Sequence, residues 1–340
     1  MKKTIRLIAI NFGVFIALII LLEGGARLFF GSSDVKAIFN DATLRTRERP
    51  FVETRENRGF ALKSGFKNAL YSVNSDGFRG EEFPASLADK RVILAIGEST
   101  TFGWGVNEQQ TYPYFLQQRF NHANEPVLVI NAGTPSYSSS QVFAYLKEII
   151  TDNKIKPDTV LINILWNDIW YSTIKNWHAD ILIYQKPPAI FKFLSDYSRL
   201  FHVLTMGKES QNLVDVPNQA ALLKYRQNLE EMIQFSQQAG IKVMFVQPPI
   251  DADHMSDQGI NDFHIRYTKD FFIKTAKQYI AQMDDLASQY DVPVISHSLD
   301  IQNLHQHALF LDHLHPTAEG NLIMAEEVFL KMQALPGLSR

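Results

Sequence analysis

Short runs of apolar residues recur along the chain after residue 90, and polar, glycine or proline residues bound each of them. The runs are continuous rather than alternating, which is typical of strands that are buried on both faces of a parallel sheet. We therefore predict buried strands at residues 92–96, 127–130, 159–165, 243–246 and 292–295.

The segments between these runs have the spacing of helices with one buried face. In residues 112–120, apolar side chains recur three and four positions apart, and the same pattern predicts helices over residues 142–150, 222–235, 273–290 and 318–332. Strands that alternate with helices imply right-handed crossovers and helices on both faces of the sheet. We predict an α/β fold, a three-layer α/β/α sandwich of the flavodoxin-like kind with about five parallel strands.

The amino terminus carries a different pattern, because a basic start is followed by the almost wholly apolar residues 7–22. A helix of this length can cover a hydrocarbon core of about 30 Å, so we predict that residues 1–30 form a membrane anchor. The basic start should stay in the cytoplasm, which places the rest of the chain outside it, in the periplasm if the cell is Gram-negative. The alternative is a signal peptide that is cleaved near residues 24–26.

Composition divides the rest of the chain. Residues 31–75 are polar and charge-rich, which predicts a membrane-proximal spacer, and residues 76–340 contain the predicted sheet. Residues 169–218 are rich in aromatic side chains and interrupt the alternation of strands and helices, so we predict a lid insertion there, with a second loop over the site at 248–270. We expect Arg79, near the start of the main domain, to pair with a carboxylate beneath the sheet.

The overall composition is that of a globular protein, with 340 residues of which 46% are apolar and 20% charged. The formal net charge of −3 provides no basic field for nucleic acid. The absence of cysteine excludes disulfides, thiolate catalysis and cysteine-based zinc sites. We therefore expect neither nucleic-acid recognition nor cysteine chemistry.

A serine, a histidine and an aspartate occupy positions from which they could form a site with an activated serine nucleophile. Ser99 follows the first predicted strand of the main domain, and Asp312 precedes His315 by three residues. A serine hydroxyl needs a neighbouring base to act as a nucleophile, and that base needs a carboxylate to fix its tautomer. Gly133 and Asn167 follow two other predicted strands, and in a parallel sheet the carboxyl ends of the strands meet at the ligand-binding edge. They would supply donors for an oxyanion there.

The order of these segments resembles that of the SGNH (GDSL-type) hydrolase family. The nucleophile segment of the family corresponds to residues 97–103, its glycine segment to 131–133, its asparagine segment to 166–168 and its Asp-x-x-His segment to 312–315. The resemblance covers roughly residues 76–333. Two positions depart from it, since Glu98 stands where aspartate is usual and Leu165 where glycine is usual.

The resemblance implies a serine esterase or acylhydrolase that acts on an ester bond, O-acetyl esters included. It makes Ser99 the nucleophile, His315 the base and Asp312 the carboxylate that orients the base. The oxyanion hole would consist of the N–H groups of Ser99 and Gly133 and the side-chain amide of Asn167. No cofactor or metal is implied, and the expected partners are an ester-bearing glycan or lipid and the membrane.

Alternatives stay open for the individual residues and for the function. His313 competes with His315 as the base, although its offset from Asp312 suits that orientation less well. These residues, with His305 and His307, offer ligands for a metal, but their spacing matches no zinc signature. For the function, the alternatives are an O-acetyltransferase that modifies an exported polysaccharide with the same triad, and a non-catalytic glycan-binding surface protein.

Overall fold

The computed structural model of the chain describes residues 2–30, 51–152 except 85 and 88, 155–173, 177, 198, 200–201, 216–251, 267–296 and 307–335. Its helices are α1 (Lys2–Phe30), α2 (Ser99–Phe102), α3 (Tyr112–His122), α4 (Ser139–Thr151), α5 (Trp166–Ser172), α6 (Gln219–Gln238), α7 (Lys269–Tyr290) and α8 (Ala318–Ala334). Its strands are β1 (Val52–Arg55), β2 (Gly59–Leu62), β3 (Arg91–Gly97), β4 (Val127–Gly133), β5 (Thr159–Asn163), β6 (Lys242–Val246) and β7 (Val294–Ile295).

The predicted parallel sheet is confirmed. Strands β3 to β7 form one five-stranded parallel sheet in the order β4-β3-β5-β6-β7, and each coincides with one of the predicted apolar runs. The register brings three strand ends level, because Gly97 lies opposite both Gly133 and Asn163. The segments that follow β3, β4 and β5 therefore begin at the same edge of the sheet.

The side chains of β3 explain why helices cover both faces of the sheet. Val92, Leu94 and Ile96 point into one core cluster, whereas Ile93 and Ala95 point into another, and all five are buried. Helices α4, α6 and α7 contribute to the first cluster and helices α3 and α8 to the second. Because both faces bury apolar side chains, the arrangement is the predicted three-layer sandwich.

The chain divides into two compact units. The first consists of Met1–Glu48 and Gln185–Leu213. Its helix α1 contains a 20-residue apolar stretch, Ala9–Leu28, long and apolar enough to cross a membrane. Near the end of that helix, Glu23 pairs with Arg27 at 2.7 Å and accepts hydrogen bonds from Ser198 and Leu200.

The second unit consists of Arg49–Tyr184 and Val214–Arg340 and contains the sheet. Its amino-terminal part differs from the predicted spacer at residues 31–75, because residues 51–75 belong to this unit. There β1 and β2 form an antiparallel hairpin, and Phe51 and Tyr71 pack against Phe102 of α2. The predicted boundary at residue 76 therefore moves towards the amino terminus. Residues 31–50 and most residues of the predicted lid and second loop lie outside the described part of the chain.

Candidate active site

The tight approach of two strands places Ser99 at the edge of the sheet. A Cβ atom on Gly97 would lie 2.0 Å from the carbonyl oxygen of Asn163, so β3 can run this close to β5 only with glycine there. Two residues later Ser99 begins α2, where the first N–H groups of a helix have no acceptor within the helix. The serine hydroxyl therefore stands beside N–H groups at the carboxyl end of β3.

Ser99, His315 and Asp312 form a continuous line of hydrogen-bonding side chains. Nε2 of His315 lies 2.8 Å from Oγ of Ser99, and Nδ1 of the same ring lies 2.7 Å from Oδ2 of Asp312. The carboxylate of Asp312 accepts a hydrogen bond from Nδ1–H and so keeps the proton on Nδ1, which leaves Nε2 unprotonated and facing the serine. The geometry thus suits the removal of the Ser99 proton by His315.

Backbone groups hold Asp312 in this orientation. Its Oδ1 atom accepts hydrogen bonds from the N–H groups of Leu314 at 2.8 Å and His315 at 2.9 Å. Burial by itself would raise the pKa of Asp312, but the electrostatic interaction and hydrogen bond with the imidazole of His315 outweigh burial and hold that pKa well below its usual range. The carboxylate therefore stays ionised at neutral pH.

His313 does not share this arrangement. Its ring packs edge-on against Phe272, with 5.9 Å between the ring centroids, and its carbonyl oxygen accepts a hydrogen bond from Asp251. Of the two histidines, His315 is the one bonded to Ser99. His305 lies outside the described residues, and among the residues that are described no group of three or more histidine or carboxylate side chains could hold a metal ion.

Asn167 lies near the start of α5, where the side chain of Glu98 fixes the backbone. The two carboxylate oxygens accept hydrogen bonds from the N–H groups of Leu165 at 3.0 Å, Trp166 at 2.8 Å and Asn167 at 2.9 Å. Nδ2 of Asn167 donates to the carbonyl oxygen of Tyr137 at 3.1 Å, and a side-chain amide has a second N–H to offer. One donor of Asn167 thus orients the group, and the other can serve a ligand.

Glu98 is the functional candidate whose role the sequence did not suggest. It is fully buried, and burial raises its pKa to about 7 despite the three N–H donors. The signal in the sequence was its position, a carboxylate next to the predicted nucleophile and close to the predicted asparagine segment. Leu165, where the family usually has glycine, has a φ of −166°, which lies outside the left-handed region that favours glycine.

Gly133, predicted as an oxyanion donor, has its N–H group bonded within its own segment in this structure. Its N–H group donates to Oδ1 of Asn131 at 3.0 Å, so a side chain of its own segment takes up the expected oxyanion donor. Glycine is nevertheless required at this position, because a Cβ atom would lie 2.1 Å from the backbone nitrogen of Phe102. Gly133 therefore allows β4 to pack directly against the helix that begins with Ser99.

Arg79 supports the same helix, although not through the carboxylate that we expected. Its guanidinium group donates to the carbonyl oxygens of Phe102 at 2.6 Å, Gly103 at 2.8 Å and Val106 at 2.7 Å. A cation near the carboxyl end of a helix satisfies carbonyl groups that have no partner within the helix. Arg79 is buried, and burial lowers its pKa to about 10.

The chain matches the model of the GDSL-like lipase/acylhydrolase family over residues 95–323. No curated protein matches it. Among solved structures it is similar to the lipase/acylhydrolase from Enterococcus faecalis, with 16% identity, a TM-score of 0.46, and coverage of 72% of this chain and 95% of that one. A putative lipolytic protein of the G-D-S-L family from Desulfitobacterium hafniense DCB-2 is also similar, with 15% identity, a TM-score of 0.43, and coverage of 71% of this chain and 99% of that one. The psychrotrophic esterase EstA from Pseudoalteromonas sp. shares 15% identity with the chain, with a TM-score of 0.44 and coverage of 72% of this chain and 97% of that one.

Proposed function

Since this chain belongs to the GDSL-like lipase/acylhydrolase family and is a hydrolase that acts on ester bonds, we propose that Ser99, His315 and Asp312 are its catalytic triad. The observation that carries the proposal is the unbroken line from Asp312 to Ser99, with distances of 2.7 and 2.8 Å. A serine with a base in hydrogen-bonding contact, itself oriented by a third group, is the arrangement that nucleophilic catalysis requires.

The proposed reaction proceeds through an acyl-enzyme. Oγ of Ser99 attacks the carbonyl carbon of the ester while Nε2 of His315 takes the hydroxyl proton. The tetrahedral intermediate then expels the alcohol, whose oxygen receives that proton from His315. Water attacks the acyl carbon, again giving a proton to His315. The carboxylic acid leaves as the proton returns to Ser99.

The oxyanion that forms at each of the two additions needs donors in place beforehand. We assign this role to the N–H group of Ser99, at the start of α2, and to the second N–H of the Asn167 amide. The anchoring of Asn167 by Glu98 and by the carbonyl oxygen of Tyr137 supports the assignment, since both contacts fix the donor before substrate binds. The N–H group of Gly133, the third predicted donor, is bonded to Oδ1 of Asn131 and would have to exchange that bond for one to the oxyanion.

The hydrolase is further proposed to work outside the cytoplasm, anchored in the membrane by α1. The apolar stretch Ala9–Leu28 and the basic residues that precede it support this orientation. Acyl-enzyme formation is equally compatible with transfer to a sugar hydroxyl. An assay with an O-acetylated glycan, with and without a sugar acceptor, distinguishes the release of acetate from its transfer.

The substitution Ser99→Ala tests the proposal. With 4-nitrophenyl acetate, kcat/KM should fall about a thousandfold or more, because the nucleophile is lost while the fold is kept. Circular dichroism checks that the variant is folded. If the folded variant kept most of the activity, Ser99 would not be the nucleophile.

A further inference from the structure

The hairpin of β1 and β2 lies before the part of the chain that matches the family, which begins at residue 95. It nevertheless belongs to the same compact unit as the sheet. Its turn, residues 56–58, ends in Arg58, a charged residue that is only 4% exposed. A buried charge requires partners, and the partners of Arg58 connect the hairpin to the proposed oxyanion hole.

Arg58 uses two sides of its guanidinium group. Its Nε and Nη2 atoms bind the two carboxylate oxygens of Glu148 on α4, at 2.9 and 3.1 Å. Its Nη1 atom donates to the hydroxyl of Tyr137 at 3.0 Å, and the group lies over the ring of Tyr145, 4.0 Å from the centroid. Only arginine provides a planar fork that can bind a carboxylate with two atoms and a hydroxyl with a third.

Tyr137 transmits this contact to Asn167. Its hydroxyl donates to the carbonyl oxygen of Phe60 in β2, and its ring packs edge-on against Phe60 at 5.0 Å, so the hairpin holds both the polar and the apolar part of the side chain. The carbonyl oxygen of the same residue accepts the hydrogen bond from Nδ2 of Asn167. A shift of Tyr137 would therefore turn the Asn167 amide.

The segment that contains Tyr137 has a strained backbone conformation, which contacts with neighbouring residues must hold in place. Ser136 has φ +68°, a left-handed value that residues other than glycine rarely adopt. Its carbonyl oxygen accepts a hydrogen bond from the hydroxyl of Tyr171 at 2.9 Å. A few residues later, the N–H and the hydroxyl of Ser139 donate to the carboxylate of Asp168 at 2.8 and 2.5 Å. A strained backbone of this kind persists only where its surroundings fix it.

We propose that Arg58 is a positioning residue for ester hydrolysis. It holds Tyr137 in place, and Tyr137 in turn orients the Asn167 amide towards the oxyanion. The inference rests on the proposed function, because it assigns the hairpin a part in the same oxyanion hole. It makes the hairpin a part of the catalytic apparatus that the family match does not include.

The experiment compares Arg58→Lys and Tyr137→Phe with a matched control, Arg55→Lys. Arg55 also binds Glu148, at 2.7 Å, but its side chain is 50% exposed. It serves as the control because its bond is to this carboxylate and not to the hydroxyl of Tyr137. The full-length proteins are purified in detergent, and their active sites are titrated with a fluorophosphonate. The rate constant kcat is then measured per titrated site with 4-nitrophenyl acetate, so that a loss of folded protein does not lower it.

Arg58→Lys and Tyr137→Phe should each lower kcat about tenfold with KM within about twofold, because a displaced donor weakens only the transition state. The double variant should be no more than about twofold slower than either single variant, since both changes break one connection. Arg55→Lys should stay within about twofold of the unmodified protein.

A kcat of Tyr137→Phe within twofold of the unmodified protein would overturn the inference, and so would independent, multiplying losses in the double variant. These results leave the proposed function intact, because the unmodified protein would still react with the fluorophosphonate at Ser99. An unmodified protein that fails to react at Ser99 would instead overturn the proposed function and the inference together.

Discussion

Replacing Glu98 by glutamine tests whether the buried carboxylate positions Asn167 in the proposed oxyanion hole. In the native protein one carboxylate oxygen accepts from Leu165 and Trp166, and the other accepts from the N–H group of Asn167. In Glu98→Gln the amide oxygen can keep the first two bonds. The amide NH₂ group then faces the N–H of Asn167, so two donors meet where a donor met an acceptor.

The expected effect is large on catalysis and small on folding. An unsatisfied buried donor costs about 1–3 kcal/mol, but the variant no longer has to bury a charge, so the free energy of unfolding should change little. Complete removal of an oxyanion donor typically lowers kcat about 10²- to 10³-fold. Because the Asn167 amide is displaced rather than deleted, we expect a fall in kcat of about 10- to 100-fold with KM nearly unchanged.

The assay is hydrolysis of 4-nitrophenyl acetate at pH 8, above the pKa of about 7 that burial gives Glu98. Glu98→Asp is the matched control, because it keeps the charge and both acceptor oxygens, and it should retain most of the activity. In an Asn167→Ala background, Glu98→Gln should add less than about a twofold loss. A folded Glu98→Gln variant with unchanged kcat would refute the reasoning.

Three further predictions follow from the site and from α1. His315→Ala should reduce kcat about as severely as Ser99→Ala, whereas His313→Ala should change it less than about tenfold; the reverse order would reassign the base. Burial raises the pKa of Glu98 to about 7 and that of Asp168 to about 6, so the folded state keeps protons that the unfolded state releases near pH 4. The free energy of unfolding should therefore fall between pH 5 and pH 8, by less in Glu98→Gln, as measured by urea unfolding; an equal fall in both proteins would contradict this. A phosphatase fused to the carboxyl terminus should be active in cells, with the protein retained in membranes after a high-salt wash. An inactive fusion or a cleaved, soluble form would contradict the anchor.

The sheet could be predicted from the sequence because burial on both faces dictates a local pattern. The run at residues 243–246 became β6 with one residue added, and every predicted helix was found with ends extended by a few residues. The last strand is shorter than its apolar run, since β7 comprises only Val294 and Ile295. The residues of the proposed triad could likewise be selected from the sequence, because Ser99 follows a strand end and Asp312 and His315 stand three residues apart.

The contacts of the proposed oxyanion hole and of the hairpin could not be predicted, because the spacing of residues in the sequence does not reveal which groups pair across distant segments. A strand-end glycine predicts a turn or a close approach, but it does not reveal that Asn131 takes up the N–H of Gly133. In the sequence, the charged residues near Arg58 have the composition of a spacer that is exposed to solvent. Only the fold shows that this arginine is buried against Glu148, 90 residues later in the chain.

Covalent labelling of the full-length protein with a fluorophosphonate, followed by mass spectrometry, tests the central claim most directly. The reagent reacts with a serine only where a base activates the hydroxyl and donors hold the developing oxyanion. We predict a single adduct on Ser99 that is absent in Ser99→Ala and forms far more slowly in His315→Ala. An unmodified Ser99, or an adduct on another residue, would contradict the proposed triad.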